Sequence, residues 1–280
     1  MRSPTVGRWQ LATWLARLRA GRPVAEVAKR LRVSTSTVLR WETAGEKGVV
    51  PGPGPLSRLL EIYEVPDDEA ARIRELREQA RRSGWWQPYD LDRHYGTYIG
   101  LEAEATRIET YESDLVTGLA QTEGYARAVV RATRPGATPA MIDQLVQVRV
   151  HRQKTWLREG GPKLWAILGE AALRQRVGSA TIMRDQLRHL IELSDHPRMT
   201  LQALPFSVGA HAAMEMASFA ILFLDQIPLS TVYTEGHGAS LFQDSPRDVT
   251  AHAEVFDRLR AAALGTEATR QVLHQLAQQQ

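Results

Sequence analysis

The chain has 280 residues, of which 43% are hydrophobic and 24% charged, with a net charge of +3 and no cysteine. This composition is typical of a globular protein that is long enough to form two domains. The lack of cysteine excludes disulfides, thiolate nucleophiles and cysteine-ligated zinc.

Targeting and membrane segments are not expected. The first 21 residues, MRSPTVGRWQLATWLARLRAG, contain no unbroken apolar stretch of the kind a signal peptide needs. The longest apolar run, MASFAILFL at 216–224, is too short to cross a bilayer. We therefore expect a soluble, cytoplasmic protein without a membrane partner.

The positive charge is concentrated near the N-terminus. Residues 1–66 hold 11 Lys and Arg against 5 Asp and Glu, whereas residues 98–280 hold 18 against 20. A basic opening segment favours contact with phosphates, although a basic solvated helix face is a simpler alternative.

Apolar residues recur at helical spacing through the first 65 residues and predict four helices. The third helix is preceded by Ser34, a typical N-cap residue, and the Gly- and Pro-rich segment 45–55 predicts a loop before the fourth. The inward positions are Trp9, Leu11, Leu15 and Leu18; Val24, Val27, Ala28 and Leu31; Val38 and Trp41; and Leu56, Leu59, Leu60 and Tyr63.

Two short helices joined by a tight break at Arg32-Val33 indicate a helix-turn-helix. The segment VAEVAKRLRVSTSTVLRWE (24–42) resembles the XRE, or lambda-repressor/Cro-like, family of DNA-binding domains. The matching positions are Glu26-Val27-Ala28, Leu31, Val33-Ser34, Ser36-Thr37-Val38 and Arg40-Trp41-Glu42. Val24 stands where that family often has a Gln that braces the recognition helix on the DNA backbone.

The second of these helices would enter the major groove of double-stranded DNA. Arg40 can bond a guanine edge or a phosphate, while hydroxyl groups and the helix N-terminus suit phosphate oxygens. A hairpin that contacts only protein is the alternative. The predicted DNA-binding residues are Lys29, Arg30, Arg32, Ser34, Thr35, Ser36, Thr37 and Arg40.

Residues 67–97 predict a helical and aromatic linker. Asp67, Asp68 and Glu69 should start a helix that ends near Arg82, since acids favour a first turn. The following WWQPYD (85–90) is typical of a segment that pins neighbouring elements together, with ligand stacking as an alternative.

The remainder, 98–280, predicts a domain of helices packed on a small, mainly antiparallel sheet, so the whole chain is expected to be α+β. Helices are predicted over 98–116, from 121, over 138–157 with Thr138 as cap, from Ala180, and over 246–264. KLWAILGEAAL (163–173) predicts a buried strand followed by a helix, and further strands are predicted at MTLQALPF (199–206), ASFAILFL (217–224) and STVYTE (230–235).

This second domain resembles the C-terminal domain of the WhiJ-like developmental regulators, which are sometimes described as antitoxin-like. The resemblance spans about 98–275 and rests on TGLAQTEGYARAV (117–129), RVHRQ (149–153), LGEAALRQRVG (168–178), MRDQLRHL (183–190), LQALPFSVGAH (201–211) and VYTEG (232–236). It implies a transcriptional regulator that often works with a small acidic partner protein.

Several polar residues interrupt otherwise apolar patterns in this domain. Buried polar groups need partners, so these residues either satisfy one another or line a pocket for a ligand or partner. Arg149 and Arg152, three apart on one helix face, suit a carboxylate or phosphate, with internal salt bridges as the alternative. The set is Gln121, Glu123, Tyr125, Arg149, Arg152, Gln153, Glu170, Gln186, Tyr233 and Glu235.

Enzymatic signatures are weak. The sequence has no Walker loop, HExxH or G-x-S-x-G motif, and histidines such as His196 and His237 lack metal-ligand spacing. We therefore nominate no catalytic residue, metal or cofactor, although Glu170, Glu235 and Tyr233 could serve acid–base chemistry.

These observations predict a DNA-binding transcriptional regulator with domains at 1–66 and 98–280, whose second domain senses a partner protein or small ligand. A homodimer is expected, because two half-sites give operator affinity that one small module seldom reaches. The alternatives are an antitoxin-like protein that acts mainly through a small acidic partner, and an enzyme or metabolite-binding protein with a repurposed helix-turn-helix.

Overall fold

A computed structural model describes residues 3–45, 47–89, 91–225, 229–236 and 239–280. The chain forms two compact units, unit 1 ending at Glu104 and unit 2 beginning at Ala105. The segment 67–97, which the sequence predicts to be a linker, is part of unit 1.

Unit 1 is entirely helical in its described residues. Its core joins α1 to the next four helices through residues such as Leu15, Val38, Leu59 and Ile73. The helices are α1 (Pro4–Arg19), α2 (Val24–Leu31), α3 (Thr35–Trp41), α4 (Pro53–Ile62), α5 (Asp67–Ala80) and α6 (Arg93–Glu102).

Two boundaries differ from expectation. The predicted loop ends early, since α4 begins at Pro53, whose fixed φ suits a first helical turn. The acidic first turn of α5 is as predicted, and the helix ends at Ala80. Trp86 is buried after it, with the Trp85 ring edge-on at 5.8 Å.

Unit 2 begins with alternating strands and helices and ends with a meander and two helices. Its elements are β1 (Arg107–Glu112), α7 (Glu123–Thr133), α8 (Pro139–Leu157), β2 (Lys163–Gly169), α9 (Glu170–Arg174), α10 (Ala180–Ser194), β3 (Met199–Leu204), β4 (Phe219–Leu224), β5 (Leu229–Gly236), β6 (Ala239–Gln243), α11 (Pro246–Ala262) and α12 (Thr266–Gln279).

The six strands form one mixed sheet in the order β3-β2-β1-β4-β5-β6. The two pairings among β1, β2 and β3 are parallel, and the three that link β1, β4, β5 and β6 are antiparallel. An α+β fold with a mainly antiparallel sheet is confirmed. The helix predicted over 98–116 is wrong beyond Glu102, because Arg107–Glu112 is β1, and neither β6 nor α12 was predicted.

Helix α11 covers one face of this sheet, and the start of α12 covers one edge. Phe256 and Leu259 of α11 pack on Tyr111, Ile167 and Ile221 of the three central strands. At the β3 edge, the backbone N–H of Ala203 donates to Thr269 Oγ1 of α12, and its carbonyl accepts from Leu264. These bonds satisfy the outer β3 backbone at that point, which an open sheet edge would leave free.

No helix in the described ranges combines the length and apolar character that a membrane span requires.

Candidate nucleic-acid interface and strand-end site

The break between α2 and α3 is fixed by backbone geometry and one hydroxyl. Arg32 adopts a left-handed conformation at φ 57°, and the Val33 N–H donates to the Ala28 carbonyl at 3.0 Å. Ser34 Oγ then accepts from the Thr37 N–H at 3.1 Å, as the sequence predicted for this cap. The turn therefore sets the direction of α3.

Val38 and Trp41 hold α3 on the core, and the opposite side of the helix is exposed. Thr35, Ser36 and Arg40 lie on this exposed side, whereas Thr37 is half-buried and its hydroxyl lies 2.8 Å from Ser34 Oγ. Ser34 and Ser36 are also linked through their hydroxyls at 2.8 Å. The hydroxyls of Ser34 and Thr37 are thus occupied in the turn.

The nominated cations are all available to solvent. Lys29, Arg30 and Arg32 are exposed at the end of α2 and in the turn, close in sequence to Arg40 on α3. Within the part of the chain that the structure describes, none of the four forms an ion pair. Unpaired cations on one helix-turn-helix match the requirements of phosphate binding.

Glu42, at the end of the motif, has a structural role that the sequence did not reveal. Its buried carboxylate accepts from Arg19 Nε at 2.8 Å and from Tyr63 Oη at 2.7 Å. The hydrogen bond to Glu42 raises the pKa of Arg19. Burial raises the pKa of Tyr63 far above its usual range, and the hydrogen bond to Glu42 raises it further. Glu42 thereby ties α1 and α4 to the end of α3.

In unit 2, four of the polar residues singled out in the sequence converge on the loop after β1. Gln186 accepts from the Thr122 N–H and donates to the Ala120 carbonyl, both at 2.7 Å. Gln121 donates to the Val116 carbonyl, Tyr125 Oη accepts from the Val116 N–H, and Gln153 donates to the carbonyls of Gly118 and Gln121. The partners of these side chains are main-chain groups.

Arg152 belongs to the same cluster, and Arg149 does not. The Arg152 side chain is buried, and a Cβ at Gly118 would lie only 3.1 Å from its Nη1. Arg149, one turn earlier on α8, is half-buried and makes no ion pair with a described residue. Glu123 is exposed in the first turn of α7.

The other nominated residues lie elsewhere. Glu170 accepts from the Phe206 N–H at 2.7 Å and from Arg174. Burial opposes ionisation of Glu170, but these two bonds outweigh it and lower its pKa. Tyr233 donates to Ser240 Oγ at 3.2 Å, and Glu235 is exposed at the end of β5.

A second cluster, the strand-end cluster of Glu112, Ser218 and Glu235, was not predicted as a group, although Glu235 was among the nominated residues. Tyr111 pairs with Phe219, and Phe219 with Thr234, so the next residues on β1, before β4 and on β5 lie side by side. Burial and the neighbouring Glu235 raise the pKa of Glu112 to about 8, although hydrogen bonds with Ser218 and Thr110 oppose the shift. Glu112 was missed because its segment was predicted to be helical.

The described residues contain no group of three or more His, Asp or Glu side chains placed to hold a metal ion. His196 packs its ring against Trp156 at 5.4 Å. His237 lies outside the described residues.

Two family models match the chain. Residues 10–73 match a helix-turn-helix domain, which is a DNA-binding class and covers α2 and α3. Residues 95–275 match the family described as "Domain of unknown function (DUF5753)", and the chain belongs to that family. No curated protein and no solved structure matches the chain.

Proposed function

We propose that this protein is a transcriptional regulator of the XRE type, in which α3 reads an operator and unit 2 receives the regulatory signal. The observation that carries the proposal is the exposed side of the helix-turn-helix. Arg30, Arg32 and Arg40 are charged, exposed and unpaired among the described residues, and Thr35 and Ser36 lie beside them. Phosphate contacts from such residues position a protein on DNA, and contacts from α3 to base edges would give specificity.

The proposed DNA-binding residues differ in role. Arg40 and Ser36 are assigned to the groove, because they project from the exposed side of α3. Lys29, Arg30 and Arg32 are assigned to phosphates. Ser34 and Thr37 stabilise the turn through their own hydrogen bonds.

A homodimer in the cytoplasm is part of the proposal. A single α3 has seven residues and presents few groups to DNA. Two copies on half-sites about 34–36 Å apart would double these contacts on one face of the duplex.

Unit 2 is proposed to bind a partner or small ligand. Polar groups at the carboxyl ends of parallel strands favour a ligand-binding role, since open α/β sheets bind ligands outside those ends. Glu112 is the last residue of β1, and Glu170 directly follows β2. The half-buried Arg149 supports the alternative of a small acidic partner, as in the antitoxin-like regulators.

The test is selection of fragments from genomic DNA by the immobilised full-length chain, followed by sequencing. We expect enrichment of a sequence with two-fold symmetry. Retention of fragments without any common sequence would overturn operator recognition, and no retention at low salt would overturn DNA binding altogether.

A further inference from the structure

The exposed side of α3 carries one large apolar residue, Leu39, which the charge and hydroxyl pattern of the segment does not explain. Leu39 is 47% exposed. It lies outside the core of unit 1, whose members on α3 are Val38 and Trp41. A single exposed leucine is ordinary on a protein surface. Leu39 differs in its place among the residues proposed to meet DNA, where an occupant on the solvent side would bury it favourably.

The position of Leu39 on α3 indicates which occupant. Residues three and four apart share a helix face, so Leu39 lies next to Ser36 and Thr35. Arg40 follows it on the same exposed side. Leu39 is therefore surrounded by the residues proposed to meet DNA, and the cations around it complement a polyanion better than an apolar protein surface.

In the major groove, thymine is the base that offers an apolar group, its C5-methyl. The other base edges there present hydrogen-bond donors and acceptors, which an aliphatic side chain cannot satisfy and would desolvate. We propose that Leu39 is a specificity-determining residue that packs on a thymine methyl group and so selects a T·A pair in each half-site. This inference rests on the proposed DNA-binding function.

Uracil tests the proposal directly, because it differs from thymine only by lacking the C5-methyl group. The probe is the duplex that the full-length chain enriches from a random library, with each thymine replaced singly by uracil. Loss of one buried methyl contact should weaken wild-type binding about fourfold at one thymine per half-site. For Leu39→Ala, the thymine and uracil duplexes should bind equally.

Leu157→Ala is the matched control, since Leu157 is 46% exposed on α8 of unit 2. It should keep the thymine preference of the wild type. Melting temperatures of both variants should equal that of the wild type, because neither side chain is in a core.

Each contrary outcome has a distinct meaning. If an operator is enriched but no uracil replacement weakens binding, or if Leu39→Ala still distinguishes thymine from uracil, the assignment of Leu39 is wrong while the proposed function stands. If Leu39→Ala leaves DNA affinity unchanged but alters the oligomeric state, Leu39 contacts protein and the assignment is again wrong. If the library yields no enriched sequence, the proposed operator recognition fails and this inference fails with it.

Discussion

Tyr63 Oη donates a hydrogen bond of 2.7 Å to Glu42 Oε1, joining the end of α4 to the residue that closes α3. The second carboxylate oxygen accepts from Arg19 of α1 at 2.8 Å. A buried carboxylate is costly unless it is paired, so these two bonds make Glu42 acceptable in the core of unit 1. They also fix the orientation of α3, on which any reading of DNA depends.

Glu42→Ala should destabilise unit 1 by about 1–3 kcal/mol, because it leaves the buried Tyr63 hydroxyl without its acceptor and the half-buried Arg19 without its carboxylate. Hydrogen-exchange mass spectrometry should show faster exchange in α2, α3 and α4, with unit 2 unchanged. Glu61→Ala, at an exposed position of α4, is the control and should change stability by less than about 0.5 kcal/mol. Equal protection in the two variants would show that the Glu42 network contributes little.

If Arg40 contacts a base, Arg40→Ala should weaken operator binding by about 1–3 kcal/mol. If Arg40 contacts a phosphate, the substitution should reduce by about 1 the slope of the logarithm of the binding constant against the logarithm of the salt concentration. The melting temperature should not change, because Arg40 is exposed and makes no ion pair with a described residue. Arg74→Ala removes the same charge from an exposed position on α5 and serves as the control in fluorescence anisotropy titrations. Equal losses of operator affinity in both variants would show that Arg40 contributes only its positive charge.

Gln186→Ala should destabilise unit 2 by about 1–3 kcal/mol per unsatisfied group, since it removes partners from the Thr122 N–H and the Ala120 carbonyl. The loss should appear as a lower melting temperature and faster exchange within 116–122. Gln271→Ala makes the same chemical change at an exposed site on α12. A normal melting temperature for Gln186→Ala would mean that this loop is held by its other bonds.

The stability of unit 2 should fall as the pH rises from about 4.5 to about 8, the interval between the ordinary pKa of Glu112 and its folded value. Over that interval the folded state retains a proton on Glu112 that the unfolded state has lost, so rising pH favours unfolding. Glu112→Gln should flatten this dependence and raise the melting temperature near pH 8. Glu123→Gln, at an exposed carboxylate, should retain the wild-type profile. Parallel profiles for the wild type and Glu112→Gln would show that Glu112 ionises normally.

Local signals made the helix-turn-helix predictable. The Ser34 cap and the inward positions Val38 and Trp41 are encoded within a few residues of one another, and the structure has them as predicted. The same holds for Thr138, whose hydroxyl caps α8 by accepting from the Met141 N–H.

Long-range pairing explains the main errors. The sequence around β1 is rich in Glu and Ala, which favour a helix, but Thr110 pairs with Ala166 on one side and Ala220 on the other. That tertiary pairing overrides local propensity. The strand-end cluster depends on the register of three strands, so no local pattern could place Glu112 beside Glu235.

The polar residues that converge on the loop after β1 show a different limit of prediction from sequence. A buried glutamine such as Gln186 can be recognised in a sequence as a group that needs partners. Its partners are the main-chain groups of Thr122 and Ala120, which every sequence has and which carry no residue signature.

The central claim, that α2 and α3 place this protein on DNA in a sequence-specific way, is tested most directly by one titration. The full-length chain would be titrated with the enriched duplex and with a scrambled duplex between about 50 and 200 mM salt. We predict that binding of the enriched duplex is tighter by about 10³-fold or more and weakens steeply with salt, as phosphate contacts require. Equal affinity for both duplexes, or affinity that does not change with salt, would contradict the claim.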